Sequence, residues 1–191
     1  MPRANLNKET VIEKAAELAN EMGLENVTLK ILAARLGVRS PSLYNHIKGL
    51  GDLRYELMLY GWRKTEERMT EAAIGVSGYA AWEAMCREFY RYATKNPGVF
   101  GAMLWYNKYD GEETKNATKK LFSVCFRIAS SMRISEENCN HLLRTFRAFL
   151  EGFALLVNNK AFGHSVSVEE SFELSMKVLM AGMKDLEEQK R

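Results

Sequence analysis

Proline, cysteine and histidine are each present only three times in this chain of 191 residues, and each scarcity excludes something. With so little proline, and few stretches in which Val, Ile and Thr alternate with polar residues, the chain reads as all-α. Cys86, Cys125 and Cys139 are odd in number, far apart and free of any C-x-x-C pattern. Reduced, buried thiols in a cytoplasm fit them better than disulfides or a metal site. His46, His141 and His164 have no metal-ligand spacing, so no metal and no cofactor is expected. The sequence has no G-x-S-x-G, no H-E-x-x-H and no phosphate-binding glycine loop, so an enzyme is not expected either. No apolar run approaches the roughly 18 residues of a membrane helix, because Glu151 interrupts the greasiest stretch. The opening M-P-R-A-N-L-N-K-E lacks the apolar core of a signal peptide. Nothing repeats, and a net charge of +3 alone names no partner.

What is present is helical punctuation. From Lys8 to Met22, residues Val11, Ala15, Leu18 and Met22 recur at the spacing of one buried face. Glu9, Glu13, Glu17, Glu21 and Glu25 form a stripe best read as a solvated face. Gly23 stops that helix. Thr28 caps the next, whose inward residues are Leu29, Leu32, Ala33 and Leu36, and Gly37 closes it. A third helix is expected in R-S-P-S-L-Y-N-H-I-K, with Ser40 as N-cap and Pro41 at its first position, where the missing N–H costs nothing. Only Leu43 and Ile47 of that segment suit a core.

Two short helices joined by a glycine turn form a helix-turn-helix, whose second helix enters the DNA major groove. Counting from Leu29, the fifth residue is the small Ala33 and the ninth is Gly37, where a positive φ is cheap only for glycine. Leu32, Leu36, Val38 and Leu43 occupy the apolar positions that pin the second helix. Its outward side chains suit bases and phosphates. Asn45 can pair with an adenine edge and Ser42 with either base type. Pro41 and Tyr44 can touch a thymine methyl, while Tyr44 and His46 can donate to phosphates. Between Thr28 and Lys64 seven basic residues (Lys30, Arg35, Arg39, Lys48, Arg54, Arg63, Lys64) face two acidic ones (Asp52, Glu56), a surplus of +5 that suits a DNA-binding face.

The run G-L-E-N-V-T-L-K-I-L-A-A-R-L-G-V-R-S-P-S-L-Y-N-H-I-K resembles the TetR family of bacterial transcriptional repressors. The L-Y-x-H core and the T-x-x-x-L-A-x-x-L-G-V helix before it are the most specific marks. The resemblance spans roughly residues 7–68, taken as the DNA-binding domain, and leaves 69–191 as a helical dimerisation and effector domain. It implies that Thr28 and Lys30 contact DNA at the start of the second helix. It also implies that Arg39, Ser40, Pro41, Ser42, Tyr44, Asn45 and His46 form the recognition surface. The lysine usual four residues after the histidine is here Leu50, which makes Lys48 the candidate substitute for its phosphate contact.

Beyond Gly51 and a capping Asp52, helices are expected at Leu53 to Ile74, Ala80 to Lys95, Glu113 to Met132, Ser135 to Asn158 and Ser167 to Glu188. A short segment covers Phe100 to Trp105. The long helix from Leu53 is the natural lever between domains, with Gly61 either a flexible point or a site of close packing. Trp82, Met85, Phe89, Met103, Trp105, Tyr106, Phe122, Phe126 and Phe149 are candidate lining for a small apolar effector. At helical spacing such residues suit a plain core equally well. Leu142, Phe146, Phe149, Phe153 and Leu156 recur at 4-3-4-3 spacing, as do Phe172, Met176, Leu179, Met183 and Leu186. These seams are expected to pair two copies of the chain on a palindromic operator, or else to close the protomer's own core. A ligand-responsive repressor is thus set against a helical DNA-binding protein without an effector.

Overall fold

The computed structural model describes residues 6–109 and 111–188, with side chains as far as Asp185. Leu186 of the expected seam therefore lies outside the described side chains. Among the described residues every regular element is helical. The α-helices are α1 (Lys8–Met22), α2 (Leu29–Arg35), α3 (Leu50–Ala72), α4 (Gly78–Lys95), α5 (Pro97–Met103), α6 (Glu112–Ser131), α7 (Glu136–Asn158) and α8 (Val168–Glu188). No helix among those residues is long and apolar enough to cross a membrane. The chain forms two compact units, one gathering Met1–Lys64 with Asn96–Ala117 and the other Thr65–Lys95 with Thr118–Arg191. The α5 segment groups with the N-terminal helices rather than with the rest of residues 69–191.

Local chemistry explains the ends. In α1 the Asn7 side chain accepts from the Thr10 amide at 2.8 Å. Val11, Ala15 and Leu18 are buried as their spacing requires, together with Ile12, Ala16 and Ala19. Met22 is not; it is exposed. The five glutamates are exposed, as the solvated-face reading has it. Thr28 caps α2 by accepting from Ile31 N at 3.2 Å. At the other end Val38 N donates to Ala33 O and Gly37 N to Ala34 O, at 3.0 and 3.1 Å. That paired closure needs a left-handed residue, and Gly37 supplies it with φ +68°.

Helix α3 begins at Leu50, earlier than expected. Asp52 is not its cap. The aspartate sits inside the first turn and its carboxylate accepts from Lys48 N at 2.8 Å, tying the preceding loop down. Gly61, midway along α3, is a packing glycine: an added Cβ would lie 2.5 Å from Met103 Cγ and 2.9 Å from Val99 Cγ1. Both neighbours are buried. A flexible point is not what this residue provides.

The second unit has an aromatic and methionine core. Trp82, Met85, Phe89, Phe146, Phe172, Met176 and Met183 are buried within the single chain. Trp82 meets Phe146 edge-on at 5.6 Å, and Phe149, Phe153 and Phe172 cluster with Tyr90. Of the two roles expected for these seams, burial within one chain favours the second. Phe146, Phe172, Met176 and Met183 serve the protomer's own core, and Phe153 and Leu179 are half-buried beside them. Heptad spacing picked out the most apolar stripe, and a helix turns that stripe toward its own domain first. What is left exposed is Leu155 and, from the expected seam itself, Leu156 on α7, and Leu174 and Val178 on the far side of α8, the last two each 64% exposed.

Charge and thiols follow the same logic. The buried Glu88 carboxylate is held by Arg91 at 2.8 Å and Arg68 at 3.3 Å. All three cysteines are free and buried. Burial pushes the Cys125 thiol up to about 12 and Cys139 to about 11, and raises Cys86 further in the same direction. Such thiols stay protonated and unreactive at neutral pH.

Candidate nucleic-acid interface

The segment Ser40–Asn45 is a 3-10 helix of about two turns rather than an α-helix. Arg39 is its N-cap, with extended φ −81° and ψ 144°, and Pro41 stands in its first turn. Ser40 is thus inside the turn and not its cap, a correction to the sequence reading. The turn closes through Ser42 N to Arg39 O and His46 N to Leu43 O, both at 2.9 Å. Ile47 N also reaches Leu43 O at 3.0 Å.

Two apolar residues anchor it. Leu43 is fully buried and Ile47 nearly so, as are Leu32 and Ala33 of α2, the helix that the 3-10 segment packs against. The rest of the segment faces outward. Tyr44 is 59% exposed, and Arg39, Pro41, Asn45 and Lys48 are exposed with it, while Ser40, Ser42 and His46 are half-buried. At the start of α2, Thr28 and Lys30 are exposed too. The Thr28 oxygen is engaged in capping Ile31 N, which leaves its hydroxyl hydrogen to donate outward.

The +5 surplus divides on inspection. The Arg35 guanidinium grips the Glu21 carboxylate, with Nη1 at 3.0 Å from Oε1, and that contact lowers the Glu21 pKa and raises that of Arg35. Arg54 lies over the Trp105 ring at 5.3 Å, and Arg63 and Lys64 lie near the Tyr60 ring at 5.8 and 6.0 Å. Lys30, Arg39 and Lys48 are the cations exposed at the reading end. They suit phosphates.

The candidate effector residues separate into two sets. Met103, Trp105 and Tyr106 belong to the first unit, where Tyr106 meets Trp62 at 5.9 Å and Lys108 sits over Trp105 at 4.2 Å. Trp82, Met85, Phe89, Phe122, Phe126 and Phe149 belong to the second. The indole N–H of Trp82 is buried without a hydrogen-bond partner. Sequence reasoning missed Asn20 and Gly98, which join α1 to α5. Their partners are more than 70 residues away in the chain, so no local signal could have found them.

The family model for the tetracyclin repressor-like C-terminal domain matches residues 82–179. An uncharacterized HTH-type transcriptional regulator, YobS of Bacillus subtilis (strain 168), is 29% identical over 183 residues, 95% of each chain. The class D tetracycline repressor protein of Escherichia coli is 49% identical over 45 residues, 24% of this chain and 21% of that one. Among solved structures, TetR from Acinetobacter baumannii AYE shares the fold at a TM-score of 0.73 and 17% identity, over 96% of this chain and 99% of that one. A variant of that TetR in complex with minocycline superposes at 0.68 with 18% identity, over the same shares.

Proposed function

The chain belongs to the tetracyclin repressor-like family of DNA-binding transcriptional regulators, and from that membership we propose that it is a dimeric repressor released from a palindromic operator by a small-molecule effector. One observation carries the proposal: a short turn held down by Leu43 and Ile47 holds out Pro41, Tyr44 and Asn45 with cations on either side. Asn45, Tyr44 and Ser42 read bases, while Thr28, Lys30, Arg39 and Lys48 anchor the phosphates. Ser40 and His46 line the same surface.

Dimerisation uses the outer faces of α7 and α8. Leu155, Leu156, Leu174 and Val178 are large apolar side chains left in water, and a two-fold pairing of these faces would cover them. The effector is small and weakly polar, lodged among Trp82, Met85, Phe89, Phe122, Phe126 and Phe149. The unpartnered Trp82 N–H asks that it carry a hydrogen-bond acceptor. A minocycline complex of a fold relative supports a small-molecule effector.

Selection of duplexes from a random pool, followed by gel-shift titration and sedimentation, tests the reading. The expected result is one palindromic consensus bound by a dimer. Equal affinity for selected and scrambled duplexes would defeat it, as would a monomer at micromolar concentration.

A further inference from the structure

We propose that Asn20 is a positioning residue for DNA binding, holding α1 in place by capping the start of α5 from a different helix. The inference rests on the DNA-binding reading above. Four N–H groups at a helix start lack intrahelical partners, and in α5 each of the first three positions can be accounted for. Pro97 has none to offer. Gly98 N and Val99 N both donate to the Asn20 Oδ1, at 3.1 and 3.0 Å. The helix's own N-cap residue, Asn96, makes no side-chain cap; its Oδ1 instead accepts from Asn20 Nδ2 at 3.0 Å. One amide on α1 therefore does the work that a local serine or aspartate does elsewhere.

The backbones approach closely enough to make the contact specific. A Cβ on Gly98 would fall 1.9 Å from the carbonyl oxygen of Ala19, next to Asn20. On its other side α5 presses Val99 and Met103 against Gly61 of α3. Helix α5 thus stands between α1 and α3, with a glycine at each contact. The turn of α1 that receives it also reaches the reading apparatus, since Glu21, adjacent to Asn20, holds Arg35 of α2. The C-terminal turn of α1 touches α5 through one residue and α2 through the next. Displacement of the Asn96–Met103 segment consequently reaches the DNA-reading turn through α1 as well as along α3.

The test compares Asn20→Ala with Asn20→Asp in the full chain. Asp keeps an acceptor for the two amides and adds a charge favourable at a helix start, and the Asn96 side-chain amide turns to donate to its second oxygen in place of the lost Nδ2 contact. Asn20→Ala should weaken binding to the selected duplex about three- to thirtyfold, the range an N-cap loss spans. Asn20→Asp should stay within about twofold of the parent on the same scale. Amide resonances are followed in both variants without DNA: Gly98 and Val99 should lose exchange protection in Asn20→Ala, and Leu43 to Ile47 should shift. A residue that only stabilises α5 would move the first pair and leave the second set, and duplex affinity, unchanged; that result overturns the proposal. Failure of Asp to rescue overturns it as well. Should Asn20→Ala not fold, Asn20→Gln replaces it, since the extra methylene displaces the amide from Gly98. If the parent chain selects no duplex, the DNA-binding reading fails, and the shifts at Leu43 to Ile47 still decide whether Asn20 positions the turn.

Discussion

The reading turn and the outer faces of α7 and α8 both leave large side chains in water, and they do so with opposite chemistry. Around Ser40–Asn45 the exposed groups are an amide, a phenol, a proline ring and cations. On α7 and α8 they are Leu155, Leu156, Leu174 and Val178. Hydration costs little for the first set. Burying a Leu or Val side chain is worth about 1.5–3 kcal/mol, so the second set favours a protein face that would cover it. One surface suits a hydrated polyanion and the other a second copy of the chain.

The largest effect is therefore expected where the exposed groups are apolar. Leu174→Glu combined with Val178→Glu places two charges per protomer in the proposed interface, four in the dimer. Apolar interface anchors are worth about 2 kcal/mol or more each, so dimerisation should weaken at least about a hundredfold, with helix content unchanged. Analytical ultracentrifugation measures this. Undiminished dimerisation would mean that the outer faces are simply wet, and the contrast between the two surfaces would lose its meaning.

Gly61 sharpens the comparison, because α3 runs from the unit carrying the reading turn into the unit carrying the apolar faces. With Met103 and Val99 within 3.0 Å of any added methyl, Gly61→Ala should destabilise the fold by about 1–3 kcal/mol, as overpacking does, despite the better helix propensity of Ala. Chemical denaturation checks the sign. A stabilised variant would revive the hinge.

How much of this was legible beforehand depended on distance along the chain. Signals that act over three or four residues were readable in part: the Thr28 cap and the Gly37 closure stand where the sequence placed them, and Ser135 and Ser167, where two helices were expected to begin, cap α7 and α8, whereas Ser40 and Asp52 are not the caps they were expected to be. Spacing also located the apolar stripes, but it could not say which partner each served, and the stripes on α7 and α8 went largely to the core, with Leu156 left exposed. Gly61 left hinge and close packing undecided, because only its neighbours from α5 distinguish them. The Asn20 cap was invisible, since its donors lie on a helix 78 and 79 residues away. The residues proposed to read DNA were chosen from side-chain chemistry, while the pairing of Arg35 with Glu21, which occupies one of the counted cations, was not visible in the sequence.

On the polar surface Asn45 is the residue expected to specify. Asn45→Ala should cost about 1–3 kcal/mol on the selected duplex if the amide pairs bidentately with a base edge, and much less on a scrambled one. Competition titrations with both duplexes separate specificity from bulk affinity. Equal losses would demote Asn45 to a backbone contact.

Lys48 gives the smallest and most diagnostic effect. Its backbone amide is tied to Asp52, which fixes the loop, and its side chain is exposed just past the reading turn, where Leu50 takes the place of the family's usual lysine. A lysine on a phosphate displaces roughly one condensed counterion, so Lys48→Ala should lower the slope of log affinity against log salt by about 0.9. The loss should be the same on every duplex, because phosphates carry no sequence. Titrations at several salt concentrations, on selected and scrambled duplexes alike, yield both numbers. An unchanged slope would place Lys48 off the DNA and leave Lys30 and Arg39 as the phosphate anchors. A loss confined to the selected duplex would make it a base reader instead, and the division between a specifying turn and its anchoring flanks would need redrawing.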